Sequence, residues 1–190
     1  MRKLELERYG PAGRELVERG LKEARPKNFN FDAPVSDARA ALAALTDQTI
    51  SPGRRVRMPH DAACCHAALW LLFDFMKESH DLSQNVATPS GSYWHGILHR
   101  REPDPSNAKY WFHRVGEHPV FPELLDDAKE IAGALPELKA LVSAAVWNAA
   151  LFTDLCCGNP VGKLAETLLE IQRREWALLF DHNYSKAFAP

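Results

Sequence analysis

Strand-forming residues are scarce in this chain: Val, Ile and Thr number 9, 4 and 5 among 190 residues. Ala and Leu number 26 and 23. β-Branched side chains suit the pleated sheet and Ala and Leu suit the helix, so the balance argues for an all-α fold. No alternating apolar run bounded by turn residues occurs. Long apolar runs are missing too. The longest, Ala67–Met76, is interrupted by Asp74 and is too short to span a bilayer. The opening MRKLELERYG lacks the apolar stretch of a secretory leader, which predicts a cytoplasmic protein with no membrane partner. There is no glycine-rich phosphate loop and no G-x-S-x-G nucleophile turn. Charge of neither sign dominates, with 23 Lys and Arg against 25 Asp and Glu, so nucleic acid is a poor partner. Cysteine is confined to two adjacent pairs, Cys64-Cys65 and Cys156-Cys157, with no C-x-x-C spacing. Helical neighbours point about 100° apart and rarely share a metal, so buried, reduced thiols are expected.

What the chain does have is proline punctuation between helical patterns. Helices are predicted over Pro11–Ala24, Ser36–Thr46, His60–His80, Gly91–Glu102, Ser106–Val115, Pro122–Ala134, Pro136–Leu155 and Pro160–Phe180, with connections over Arg25–Val35 and Asp47–Pro59. Many starts carry a proline or a Ser or Asn cap, where a missing N–H or a side-chain oxygen fits. The length suits one domain over 1–190, an irregular bundle of about seven or eight helices. On the last helix Val161, Leu164, Leu168, Trp176 and Leu179 form an apolar stripe with Gln172 in its middle. A polar group there requires a defined hydrogen-bond partner. Asp74 and Lys77, three apart, read as an ion pair on the solvent side, the alternative being a carboxylate directed into a pocket.

Rings are the surplus, with 8 His and 5 Trp. Half the histidines fall within YWHGILHRREPDPSNAKYWFHRVGEH, residues 93–118. Here His95, His99 and Glu102 share one helix face, four and three residues apart. Two imidazoles at i and i+4 can reach one divalent metal, with the carboxylate as third ligand or base. The same histidines can equally be buried donor–acceptor groups of a polar core. On the next helix Asn107, Trp111 and Arg114 are spaced i, i+4, i+7, with Tyr110 beside them. An aromatic flanked by an amide and a guanidinium can hold a planar polar or anionic ligand. Arg100 and Arg101 would add positive charge nearby. The ligand-binding set is therefore His95, His99, Asn107, Tyr110, Trp111 and Arg114, and the metal set is His95, His99 and Glu102.

The spacing of Gly96, Ala108, Phe112 and Val115, with Pro119 following, resembles a tetratricopeptide helical hairpin over about residues 92–119. His95 and His99 stand where that family usually has Leu and Tyr, and no second copy occurs, so a stacked solenoid is not expected. The string HGILHRRE…SNAKYWFHRVGEHPVF is also similar to helical bacterial proteins, a likeness that brings no activity with it. His60-Asp61 resembles the pair of helical metal-dependent phosphohydrolases, but no earlier His exists to complete that set, and no Glu-x-x-His di-iron motif occurs. Two expectations follow. One is a non-catalytic module whose His/Trp/Arg-rich hairpin binds a small polar ligand or protein segment, with a homo-oligomer open to it. The other is a metal-dependent, hydrolase-like enzyme built on His95, His99 and Glu102.

Overall fold

A computed structural model describes residues 4–188, and among these there are helices and connections but no strand. Eleven α-helices are present: α1 Pro11–Lys22, α2 Arg39–Ala43, α3 Asp47–Ile50, α4 Pro59–Leu72, α5 Met76–Ser83, α6 Pro89–Arg101, α7 Pro105–Val115, α8 Phe121–Ala132, α9 Lys139–Val142, α10 Ala149–Cys157 and α11 Gly162–Ala187. No described helix is long and apolar enough to cross a membrane.

Eleven helices replace the seven or eight expected because long periodic stretches are broken by tertiary contacts. The stretch His60–His80 divides into α4 and α5 at Asp74, whose φ is +64°. Phe73 and Phe75 on either side are buried, so the turn drives both rings inward. The Asp74 carboxylate is held there by Arg101 and, at 3.0 Å, by Arg25. Arg101 also donates to the carbonyl of Leu71 at 2.9 Å, beside the backbone N–H of Asp74 at 3.3 Å, and so braces the end of α4. The expected Asp74–Lys77 surface pair is thus overturned: Asp74 is buried, and Lys77 pairs with Asp81. The stretch Pro136–Leu155 divides as well, because the Asn148 side chain accepts from Leu151 N–H at 2.9 Å and starts α10 afresh. Within the predicted connection Asp47–Pro59, Thr46 and Thr49 form a reciprocal cap that closes the single turn α3. α11 runs on beyond the predicted Phe180 to Ala187.

One apolar cluster extends from Tyr9 to Phe188, with α4, α6 and α11 at its centre. Every residue of α6 after Pro89 is buried, polar ones included. Burying those polar groups is tolerated only with partners. Arg100 pairs with Glu175 and donates to the Gln172 carbonyl oxygen at 3.2 Å, while Tyr93 donates to Glu175 at 3.0 Å. Gln172 therefore has the partner its place in the stripe demanded. Trp94 donates to Asn183 at 2.8 Å, and Asn183 donates to Asp61 at 2.7 Å. Asp61 is thereby a buried structural acceptor, while His60 is exposed. The expected contribution of Arg100 and Arg101 to a ligand surface is corrected for the same reason: both guanidiniums lie inside the bundle.

α6 and α7 pack closely. A Cβ at Gly96 would lie 3.2 Å from the ring edge of Phe112. Asp104 caps α7 by accepting from Asn107 N–H at 3.0 Å, which fixes the first turn of that helix beside the end of α6.

Candidate functional site

α5 and α6 lie side by side, and α7 covers one edge of the pair. This arrangement brings His80 from α5 against His95 and His99 from α6, with one ring nitrogen of each within 4.8 Å of the others. The ring centroids are 4.5 Å apart for His80–His95, 4.7 Å for His95–His99 and 5.7 Å for His80–His99. His95 and His99 are buried and His80 is half-buried, so the cluster meets solvent on the α5 side. Trp111 covers His95 at 4.1 Å between centroids.

The hydrogen bonds assign the protons. Glu102 can only accept as a carboxylate, so His99 donates to it from Nδ1 at 2.8 Å. Ser83 donates its hydroxyl to the carbonyl of His80 at 3.4 Å, which leaves its oxygen to accept from Nδ1–H of His95 at 2.9 Å. His99 is thereby an Nδ1–H tautomer with its lone pair on Nε2, and His95 takes the same form when the Ser83 hydroxyl is turned to the His80 carbonyl. Among the described residues, none hydrogen-bonds to either ring nitrogen of His80. Burial, together with the neighbouring His99 and His80, pushes the pKa of His95 down to about 3, so it is neutral across the ordinary pH range.

This arrangement differs from the set read in the sequence. His95 and His99 do come together, but Glu102 lies behind His99 as its hydrogen-bond partner, with 42% of its side chain exposed. The third imidazole is His80, which sequence reasoning missed, as it missed Ser83. The clue available was a second helix ending in a histidine shortly before the hairpin, but the register between the two helices is set only by the turn at Asp74. Asn107 does reach the cluster, its amide nitrogen 3.2 Å from His99 Nε2 and 3.3 Å from Nδ1. Tyr110 and Arg114 stand apart, on the exposed side of α7. Arg114 lies over the rings of Trp111 and Tyr110, with its Cζ 5.2 and 5.8 Å from their centroids, and donates to the Tyr110 hydroxyl at 3.3 Å.

Three converging imidazoles, with a carboxylate behind one of them, suit a late first-row divalent ion, zinc above all. Calcium and magnesium prefer oxygen ligands, and none of the three groups supplies one. Zinc bonds of about 2.0–2.1 Å set ligand nitrogens roughly 3.3 Å apart, so the rings, whose nitrogens lie within 4.8 Å of one another, would draw closer around an ion.

Other polar groups are structural. His118 accepts from Val120 N–H at Nδ1 (3.4 Å) and so presents Nε2–H to Ser90 Oγ at 3.1 Å. That is the wrong tautomer to activate the serine as a nucleophile. Cavities of about 630 and 460 Å³ share Phe121, Val146 and Trp147, and neither is lined by a residue of the histidine cluster. All four cysteines are free thiols, three of them buried. Burial pushes the Cys156 thiol up to about 12. No family model, curated protein or solved structure matches the chain.

Proposed function

We propose that this protein binds a zinc-type divalent metal ion through His80, His95 and His99, with Ser83 and Glu102 orienting two of the three ligands. One observation carries the reading: one ring nitrogen from each of His80, His95 and His99 lies within 4.8 Å of the others, and among the described residues the His80 ring makes no hydrogen bond. Ser83 and Glu102 sit at Nδ1 of His95 and His99, which suits ligation through the opposite nitrogens. When bound, the metal supplies Lewis acidity and keeps a position for a ligand from outside the chain. Hydrolase-like chemistry is the catalytic form of this proposal. The likeness of α6 and α7 to a tetratricopeptide hairpin belongs to it as well, supported by the close approach of Gly96 and Phe112. The free thiols support a reducing compartment such as the cytoplasm.

The test is zinc binding to the stripped protein, followed by competition with a chromophoric chelator. One zinc per chain is expected, with at least a roughly hundredfold loss of affinity on His95→Ala or His99→Ala and a comparable loss on His80→Ala. Glu102→Gln, which keeps a hydrogen bond but removes the charge behind His99, is expected to weaken binding about tenfold. Wild-type affinity in all three histidine variants would overturn the proposal.

A second reading, a non-catalytic module for a small polar ligand or partner segment, is favoured by the exposed stack of Tyr110, Trp111 and Arg114. It predicts that Arg114→Ala alters recognition while leaving zinc affinity intact.

A further inference from the structure

The position of Asn107 says what the metal's outside ligand is. Its amide nitrogen is almost equally far from both ring nitrogens of His99, 3.2 and 3.3 Å, so it lies off the Nε2 lone-pair axis. An N–H in that place leaves the lone pair to a metal and is itself left beside the metal's open position. The backbone from which this side chain projects is held in place, because the N–H of Asn107 is bonded to the Asp104 cap.

Charge gives the same answer independently. Three neutral imidazoles do nothing to offset a 2+ ion, and the one carboxylate nearby, Glu102, is separated from it by the ring of His99. The positive charge that remains favours an anion in the open position. The half-buried indole of Trp111 against His95 makes one wall of the site and keeps the ligand small.

On the metal-binding reading proposed above, we infer that the site takes a small carboxylate. One oxygen of the carboxylate ligates the metal and the other accepts a hydrogen bond from the side-chain amide of Asn107. A two-oxygen anion suits a donor displaced to one side of the metal, whereas a single-atom anion leaves that donor unused.

The experiment uses the full chain loaded with cobalt(II), whose visible bands report changes among its ligands, and acetate as the probe. Acetate is expected to shift the bands saturably. Asn107→Leu should weaken acetate binding about tenfold, since the lost hydrogen bond goes to a charged acceptor. Cobalt affinity should stay within about twofold of wild type. Asn107→Asp, nearly identical in shape, should abolish the shift by repelling the anion, and it keeps the test valid if the leucine variant folds poorly. Bands indifferent to acetate, or acetate binding unaffected by either variant, would overturn the inference while leaving the metal reading intact. Failure of cobalt to bind the histidine cluster would overturn both.

Discussion

Glu175→Gln is expected to destabilise the metal-free protein by about 3–5 kcal/mol, because it leaves a buried guanidinium without its counter-charge. For a chain of this length such a loss lowers Tm by about 10 °C. Arg100 and Glu175 are both fully enclosed between α6 and α11. The glutamine keeps the size of the side chain and an oxygen for the Tyr93 hydroxyl, so the effect isolates the charge. The removal of both partners together, Arg100→Met with Glu175→Leu, should recover most of the loss. An ion pair in an apolar interior gains little over well-packed carbon of similar volume. Urea unfolding of the wild type, the single variant and the double variant checks this. A single variant within about 1 kcal/mol of wild type, or a double variant as weak as the single, contradicts it.

The second large effect is on acid stability. Burial, with the charges of His182 and Lys186 close by, pushes the pKa of His118 down to about 3 from an ordinary 6.5. Between those values the unfolded chain takes up a proton at this residue and the folded chain does not. Stability is therefore complete above about pH 6.5 and falls as the pH drops towards 3. The slope from this one side chain approaches 1.4 kcal/mol per pH unit within the window. His118→Gln, which can still hydrogen-bond Ser90, should flatten the dependence of unfolding free energy on pH between 6 and 4 by about that amount. Equal slopes in variant and wild type would show that the proton is taken up elsewhere. Metal-free protein is again the material to use, so that the histidine cluster is the same in both.

The helical class and the pairing of α6 with α7 are legible from residue counts and spacing alone. These depend on local propensity and on the position of prolines and caps. Two of the missed boundaries, at Asn148 and at Thr46–Thr49, are local caps, and the one that matters to the candidate site is decided at long range. Nothing near Asp74 in the chain foretells that Arg101 and Arg25 will stabilise a left-handed turn there, so α4 and α5 read as one helix. The site was half legible for the same reason. His95 and His99 lie one turn apart on a single helix, which periodicity detects. His80 reaches them only because the turn at Asp74 sends α5 back along α6. Glu102 was correctly set on the face of His95 and His99, but a one-dimensional spacing does not distinguish a ligand from the group that orients one. Gln172 was readable as a residue in need of a partner, though not that the partner would be Arg100.

Gly96 lies between the histidines, and the edge of the Phe112 ring fills the space a side chain would occupy. Asn107 and Trp111 are carried on the same helix as Phe112, five residues and one residue before it. The gap between the imidazoles and the residues that face them is consequently set by a missing methyl group. A single carbon added at position 96 would act as a spacer, moving α7 outward by a few tenths of an ångström. On the proposed metal-binding reading it would widen the mouth of the site without touching any of the three histidines. Selectivity for ligand size would then be tuned at a position that has no functional group.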